Sequence, residues 1–414
     1  MNVVFVVPRF HPYKGGYENY TLKIASGLHS CGHKVTILTS NAVDLEAFWL
    51  KGFRTIPAGD EDFEGLVIRR FAIDYRHWIR RAGRLLALMG TWKMKARFGA
   101  PGFHVKGLAD AIRKAEPDIV HIGPLPYTRL MYEGLREAKR CDARVIATPC
   151  THFGEDASDQ VSRYYTKPAQ MHVLKQCDAV LTLTKVEEQR LVALGVKSYK
   201  IRTTRLGVDF SEVTGGNEDR FRARWNLRGP IVLQLGTKAA DKGTVGVLEG
   251  MKQLWAQQMD VWLVLAGAST SEFDRYLHGQ PAMPRLLNLD PVSETDKRDL
   301  LAAATLLVHP SRVESFGIVY LEAWANGKPV IGADTAVSRE VIERSKDGLL
   351  VRFGDPKAIS EAVRYLLRNP VEAARMGQCG YTKVQAAFSW DTVLPRILDV
   401  FFGACRLAIG GTAE

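Results

Sequence analysis

The sequence predicts an α/β protein of two domains, each built on a mostly parallel sheet, and three observations predict it. Short continuous apolar runs recur along the chain and end in polar loops, as strands buried on both faces do. Stretches with apolar residues at helical spacing lie between them, and alternating strand and helix is the pattern that builds parallel sheets. The chain has 414 residues, more than one hydrophobic core usually organises, so two domains of roughly 200 residues are expected. Its 46% hydrophobic and 24% charged content is ordinary for a globular protein.

Residues 2–8 fit a buried opening strand and 34–39 a second. Between them Gly15-Gly16 opens a helix that reaches about Ser30 with Tyr20, Ile24 and Leu28 on one face, a right-handed β-α-β start. It lacks G-x-G-x-x-G, which argues against a standard dinucleotide fingerprint. Two glycines at a helix N-terminus let backbone approach a ligand closely, although a simple tight turn explains them equally well. Asp60-Glu61-Asp62 has the D-x-D form that can hold a divalent cation. It precedes the strand 66–71, at the wrong end for an active site, so it reads as an acidic loop and no metal is expected. Strands at 118–122 and 144–148 follow, preceded by helical patterns over 105–115 and 127–140. The second ends in the polar loop Thr148-Pro149-Cys150-Thr151-His152, with Glu155 and Asp156 behind it. Strands at 178–183 and 200–204 complete the first sheet, and Gly215-Gly216-Asn217 reads as linker.

A strand at 230–235 opens the second domain and runs into Gly236-Thr237-Lys238-Ala239-Ala240-Asp241-Lys242-Gly243. Strands at 261–266 and 285–289 come next, then a helix at 294–303. The stretch 306–332, LLVHPSRVESFGIVYLEAWANGKPVIG, is the one around which the chain is organised. A buried strand at 306–308 ends in His309-Pro310-Ser311. Ser315 is a good N-cap for a helix over 316–325, and Asn326-Gly327 stops that helix before another strand begins at Pro329. In an open parallel sheet such a loop lies at the carboxyl ends of the strands. The N–H groups of Phe316, Gly317 and Ile318 at the helix start then form an anion site that suits a diphosphate. Glu314 and Glu322 bracket it, roughly 10 Å apart at 1.5 Å rise per residue. Carboxylates repel phosphate and accept hydrogen bonds from hydroxyls, so a ligand with a diphosphate between polyhydroxylated rings fits all three features. A nucleotide sugar is such a ligand. A last strand is expected at 348–351, a helix at 358–368 and a final helix at 393–402.

Formal net charge is +11 and unevenly placed, since 69–106 carries ten basic residues against Asp74 alone. Trp78, Leu85, Leu88, Met89 and Trp92 recur there at helical spacing beside Arg80, Arg81, Arg84, Lys93 and Lys95, while Gly83 and Gly90 weaken any single long helix. Two readings stay open: contact with an anionic membrane surface, which is slightly favoured, and a solvated basic face whose aromatics pack on the core. Nucleic acid is not an expected partner. No run reaches the roughly 18 apolar residues of a membrane span, and the start is too short and too little charged for a signal peptide. The cytoplasm is the expected compartment, with a peripheral place on the inner face of the cell membrane if the basic stretch binds lipid. The six cysteines are scattered as reduced thiols would be, and His29-x-Cys31-x-His33 reads as a solvated helix end rather than a metal cluster.

The segment P-S-R-x-E-S-F-G-I-V-Y-L-E-A-x-A-x-G-x-P-V-I resembles, almost position for position, the donor-binding segment of the retaining GT-B glycosyltransferases of family 4. Gly15, Gly16 and Glu18 match that family's G-G-x-E loop, and Gly207-Val208-Asp209 resembles its G-V-D. Gly236, Lys242 and Gly243 match its G-R-x-x-x-x-K-G, with Thr237 at the Arg position. The resemblance implies two Rossmann-like β/α/β domains facing across a cleft. Residues 1–211 would take the acceptor and 212–387 the nucleotide sugar, with a C-terminal helix in 388–414 crossing back to the first domain. It implies transfer of a hexose-type sugar with retention, the donor being a substrate, with no cofactor or metal required. Lys242, and Lys238 one place beyond Thr237, would neutralise the leaving diphosphate together with the amides that follow Ser315. Glu314 would hold sugar hydroxyls, Glu322 the ribose, and His152 would lie near the transferred sugar. Asn288-Leu289-Asp290-Pro291-Val292 stands where relatives carry a loop that frames the base. The basic stretch then points to a lipid-linked or cell-envelope glycan as acceptor. Two other classes are kept, a nucleotide-sugar epimerase of similar architecture and a non-catalytic, membrane-associated sugar-binding subunit.

Overall fold

The computed structural model describes residues 1–13, 15–75, 103–154 and 159–409. Most of the basic stretch, including its tryptophans, and both Glu155 and Asp156 lie outside the described residues. The chain forms two compact units, Met1–Arg205 with Leu394–Glu414, and Leu206–Val393.

The first unit carries β1 (Asn2–Val6), β2 (Lys34–Ser40), β3 (Gly59–Phe63), β4 (Leu66–Phe71), β5 (Ile119–Ile122), β6 (Arg144–Ala147), β7 (Ala179–Thr182) and β8 (Ile201–Thr203). They form one sheet in the order β3-β4-β2-β1-β5-β6-β7-β8. Every neighbouring pair is parallel except β3 with β4. β1 lies between β2 and β5, Val4 facing Thr36 on one side and Val120 on the other. Val3, Val4, Phe5 and Val6 are wholly buried, which is why this strand reads as an unbroken apolar run. The helix Gly16–Ser30 makes the crossover to β2 and buries Tyr20, Ile24 and Leu28. From Leu394 onward the final helix, Trp390–Ile409, belongs to this unit, where Phe401 stacks on Phe5 and on His121 with ring centroids 6.1 and 6.0 Å apart.

Asp60-Glu61-Asp62 is an edge strand rather than a loop. Phe63 pairs with Leu66 across a two-residue turn, Glu64-Gly65, both at positive φ. Asp60 lies directly opposite Arg69 and bonds it, and Glu61 bonds Arg70. Cross-strand ion pairs thus offset the poor strand propensity of acidic residues, and charge on an edge strand blocks further pairing.

The second unit carries β9 (Ile231–Leu235), β10 (Trp262–Ala266), β11 (Leu286–Leu289), β12 (Leu306–His309), β13 (Val330–Ala333) and β14 (Gly348–Val351), all parallel, in the order β11-β10-β9-β12-β13-β14. Val232, Leu263, Leu265, Leu306, Val308 and Ile331 lie in its core. The chain winds outward from β9 to β11, then returns to lay β12 on the other side of β9 and winds the opposite way. That reversal is a topological switch point, and it opens a crevice at the carboxyl ends of β9 and β12. Gly215-Gly216-Asn217 is not a linker but a packed helix start. Asn217 caps the helix Glu218–Trp225 by accepting from the Arg220 N–H at 2.8 Å, and a Cβ on Gly216 would stand 2.0 Å from the Arg298 carbonyl oxygen. Among the described residues no helix is long and apolar enough to cross a membrane.

Candidate active site

Two loops at the switch point carry the candidate site, 236–243 after β9 and 310–317 after β12. The first is organised from below by Gln234, which is buried and donates to the Lys242 carbonyl and to the Thr244 hydroxyl, both at 3.2 Å. That hydroxyl accepts in turn from the Ala239 N–H at 3.2 Å. Gly243 caps the helix Thr244–Ala256 with φ 75°, and a Cβ there would stand 2.5 Å from the Pro310 carbonyl oxygen. Left-handed backbone and loop contact both demand glycine at this position. The Arg312 N–H donates to the Asp241 carbonyl at 2.9 Å, so the two loops are tied together through backbone.

Within this frame Lys242 donates to the Val313 carbonyl at 2.9 Å and to Glu314 Oε1 at 2.7 Å. His309 Nε2 reaches the same carboxylate oxygen at 2.9 Å. The Lys242, Glu314 and His309 side chains are 19%, 12% and 5% exposed. Burial alone pushes the Glu314 carboxyl up, but the Lys242 ammonium and the His309 hydrogen bond outweigh it and hold the group well below the usual carboxylate range. An ionised carboxylate only accepts, so His309 presents Nε2–H to it. Nδ1 of a neutral ring is then a bare acceptor, buried and without a partner among the described residues. Gly236, at φ 117°, lies against that ring, a Cβ there falling 3.8 Å from His309 Cε1. The phosphate cation and the sugar carboxylate, given separate tasks from the sequence, stand in one cluster.

The helix after the second loop is Ile318–Ala325, and its N-cap is Gly317 at φ 92°, not Ser315. The chain turns left-handed at Gly317 and the Tyr320 N–H bonds the Gly317 carbonyl at 3.0 Å, which moves the helix start past the serine. No side chain caps this helix. The N–H groups of Phe316, Gly317, Ile318 and Val319 meet no acceptor among the described residues, leaving them to an anion.

Glu322 is buried on the same helix, and its Oε1 accepts from Lys297 at 2.6 Å, a residue of the helix Glu294–Ala303. Burial opposes the Lys297 ammonium, yet the Glu322 carboxylate outweighs it and raises the lysine's pKa. Lys238 stands apart from Lys242. Thr237 is exposed while Lys238 turns inward and is 1% exposed. Its ammonium donates to Asn288 Oδ1 at 2.8 Å and to the Leu289 carbonyl at 2.9 Å, at the end of β11. Burial lowers its pKa, opposed by Asp290 and Asp274.

In the first unit Gly15 caps the helix Gly16–Ser30, and a Cβ on it would stand 2.3 Å from Glu18 Oε2. Gly16 faces open space. Buried Glu18 accepts from Arg9 Nε at 2.9 Å, and Arg9 donates also to the Val43 carbonyl at 2.8 Å with its guanidinium 3.3 Å over the Tyr13 ring. His152 lies in the loop after β6, which the Thr151 N–H pins to Glu187 Oε1 at 2.6 Å, and its ring stacks on Tyr165 with centroids 5.0 Å apart.

Three residues to which the sequence assigned no individual role complete the site: His309, Lys297 and Asn288. A polar residue closing an apolar strand at a switch point was a usable signal for His309. Lys297 carries none, and Asn288 only its place at the start of the stretch matched to the base loop, because their partners lie 25 and 50 residues away.

Two family models match this chain, "Glycosyl transferases group 1" over residues 216–383 and "Glycosyl transferase 4-like domain" over 15–207. D-inositol 3-phosphate glycosyltransferase 1 of Catenulispora acidiphila is 28% identical over 265 residues, 61% of this chain and 62% of that one. The chain thus spans about six tenths of the length of that relative. A GDP-mannose-dependent alpha-mannosyltransferase of Mycobacterium tuberculosis is 25% identical over 385 residues, 91% of each chain. Among solved structures, Anabaena Alr3699/HepE in complex with UDP and glucose has a TM-score of 0.74 at 16% identity, covering 97% of this chain and 99% of that one. With both units matched by sequence models and the fold shared nearly end to end, the chain belongs to the group 1 glycosyl transferases and has the GT-B fold of two Rossmann-like domains.

Proposed function

We propose that this chain is a retaining glycosyltransferase that moves a hexose-type sugar from a nucleotide sugar to a lipid-linked or cell-envelope glycan. The observation that carries this reading is the Lys242–Glu314–His309 cluster in the same loops as the open N–H groups before and in the first turn of Ile318–Ala325. On donor binding the diphosphate takes those N–H groups, and Lys242 exchanges Glu314 for a phosphate oxygen. The carboxylate, kept ionised and oriented by His309, then accepts from sugar hydroxyls, while Glu322, held by Lys297, accepts from the ribose. Negative charge grows on the leaving diphosphate, where each fixed donor is worth about 3 kcal/mol in the transition state. Lys242 and the amides supply this positive charge, so no metal is assigned to the reaction. Positive charge grows on the sugar in return. Glu314 is committed to Lys242, His309 and hydroxyls rather than to attack, so the leaving phosphate itself takes the acceptor proton on the same face and configuration is retained.

The relatives' names support a nucleotide-sugar donor and a polyhydroxylated acceptor, one using GDP-mannose and another acting on inositol 3-phosphate. The basic stretch 69–106 supports meeting the acceptor at an anionic membrane surface on the cytoplasmic side. Thermal melts against a panel of UDP-, GDP- and ADP-sugars identify the donor, since a ligand of the folded state raises Tm. Donor consumption that needs acceptor, with the anomeric configuration kept in the product, is the expected result. Conversion of the donor alone makes the protein an epimerase, and binding without any turnover makes it a sugar-binding subunit. Sedimentation with anionic liposomes, with Arg80, Arg81 and Arg84 intact or exchanged for Gln, tests the membrane contact. No salt-sensitive binding by the intact chain overturns it.

A further inference from the structure

We infer that Lys238 is a positioning residue that sets the preference for the donor's base by fixing the loop after β11, and that it is not a ligand of the diphosphate. The inference rests on the donor reading above. One residue joins the carboxyl ends of three neighbouring strands. Its backbone lies in the loop after β9, its N–H donates to the Ala268 carbonyl at 2.7 Å, and its own carbonyl accepts from the Thr270 N–H and hydroxyl, both at 3.1 Å, in the loop after β10. Its side chain continues to the end of β11, where the ammonium bonds Asn288 Oδ1 and the Leu289 carbonyl. The Leu289 carbonyl also takes the Gly267 N–H at 3.2 Å, so all three loops meet at this point.

A buried ammonium is costly unless its donors are used, and a 1% exposed lysine with two bonds to one loop is committed to that loop. To reach a phosphate it would have to leave both acceptors and pass to the outward side that Thr237 occupies. The anchored end of β11 and the loop 290–293 that follows run directly into the helix Glu294–Ala303, whose Ser293 cap accepts from the Asp296 N–H at 3.1 Å. One turn further, Lys297 holds Glu322, the carboxylate assigned to the ribose. The segment that Lys238 fixes therefore leads straight to the nucleoside end of the donor, beyond the ribose and away from the diphosphate held at β9 and β12. Backbone and side-chain groups held rigidly there discriminate among bases, and groups left loose do not.

The test is calorimetric binding of inorganic pyrophosphate and of UDP, GDP and ADP to the full chain and to Lys238→Met, Asn288→Ala and Lys242→Met. Lys238→Met is expected to keep pyrophosphate affinity within about 2-fold while shrinking the ratio between the best- and worst-bound nucleotide by ~10-fold or more, the worth of hydrogen bonds from a charged donor. Asn288→Ala removes one of the same bonds while leaving the ammonium and its bond to the Leu289 carbonyl in place, and is expected to shift the ratio in the same direction. Lys242→Met is expected to weaken pyrophosphate and all three nucleotides together. Equal loss of pyrophosphate and nucleotides in Lys238→Met makes Lys238 a diphosphate ligand and overturns the inference, as does an unchanged ratio in both loop variants or an intact chain that binds the three bases equally. An intact chain that binds neither pyrophosphate nor any nucleotide overturns the donor site itself.

Discussion

Replacing Lys242 by methionine keeps an unbranched side chain, shorter by the terminal nitrogen, and removes the charge that faces Glu314. Unit charges 2.7 Å apart attract by about 6 kcal/mol at an effective dielectric of about 20. If water entering the altered site leaves a third of that acting on the ionisation of Glu314, the effect is about 2 kcal/mol, or ~1.5 pH units. The sign follows from the depressed pKa of Glu314. Such a carboxylate contributes stability that is present above its unfolded pKa and is lost as pH falls through its folded value, which here lies well below the usual carboxylate range. Without Lys242 only His309 opposes burial, so the folded value climbs and the contribution is lost at higher pH. The Lys242→Met enzyme is expected to lose ~100-fold or more in kcat at neutral pH. The acid limb of its kcat/KM profile should move up by at least ~1.5 pH units, and its melting temperature should fall earlier on acidification than that of the intact protein. Donor consumption followed from about pH 8 down to the acid edge of the range in which the protein stays folded, with melts over the same range, reads all three. Unchanged turnover removes Lys242 from the mechanism, and an acid limb that stays in place shows that Glu314 owes its ionisation to another group.

Glu322→Gln is expected to raise donor KM by ~10-fold with kcat nearly unchanged in steady-state assays, because the lost interaction is made equally in ground and transition states. Gly317→Ala places a methyl 2.5 Å from the Tyr320 ring at φ 92°. It should cost ~1–3 kcal/mol in denaturant melts and weaken pyrophosphate binding by moving the N–H groups of the turn. Arg9→Met strands the buried Glu18 carboxylate and should cost ~3–5 kcal/mol, most of it recovered in the Arg9→Met/Glu18→Gln pair. Non-additivity in that double-mutant cycle measures the coupling, and simple additivity of the two losses refutes it.

The strands were legible in the sequence because a parallel sheet covered on both faces needs unbroken apolar runs, and β1, β9 and β12 are buried along nearly their whole length. The helix Glu294–Ala303 was legible for a local reason too, a serine cap ahead of an amphipathic turn. The letters of 306–332 likewise marked Glu314, Glu322 and the candidate anion-binding turn, since loop carboxylates and the approach to a helix are written in adjacent residues, although the cap is Gly317 and not Ser315. Where the chain conformation depends on distant groups the letters mislead. β3 is a strand because arginines on β4 pair with its acids, Arg69 directly opposite Asp60 and Arg70 diagonally with Glu61, and the helix Pro370–Ala387, absent from the sequence reading, keeps Gly377 and Gly380 because Gly327 and Trp324 press on it so closely that a Cβ at either would lie within 2.0 Å of them. The partners of the site are of this second kind. Glu314 meets Lys242 across 72 residues, Glu322 meets Lys297 across 25 and Lys238 meets Asn288 across 50. Local sequence specified which charges exist and on which loops they ride. The order of strands in the sheet decided which charge faces which: the switch between β9 and β12 brings Lys242 to Glu314, and β11, on the other side of β9, brings Asn288 to Lys238.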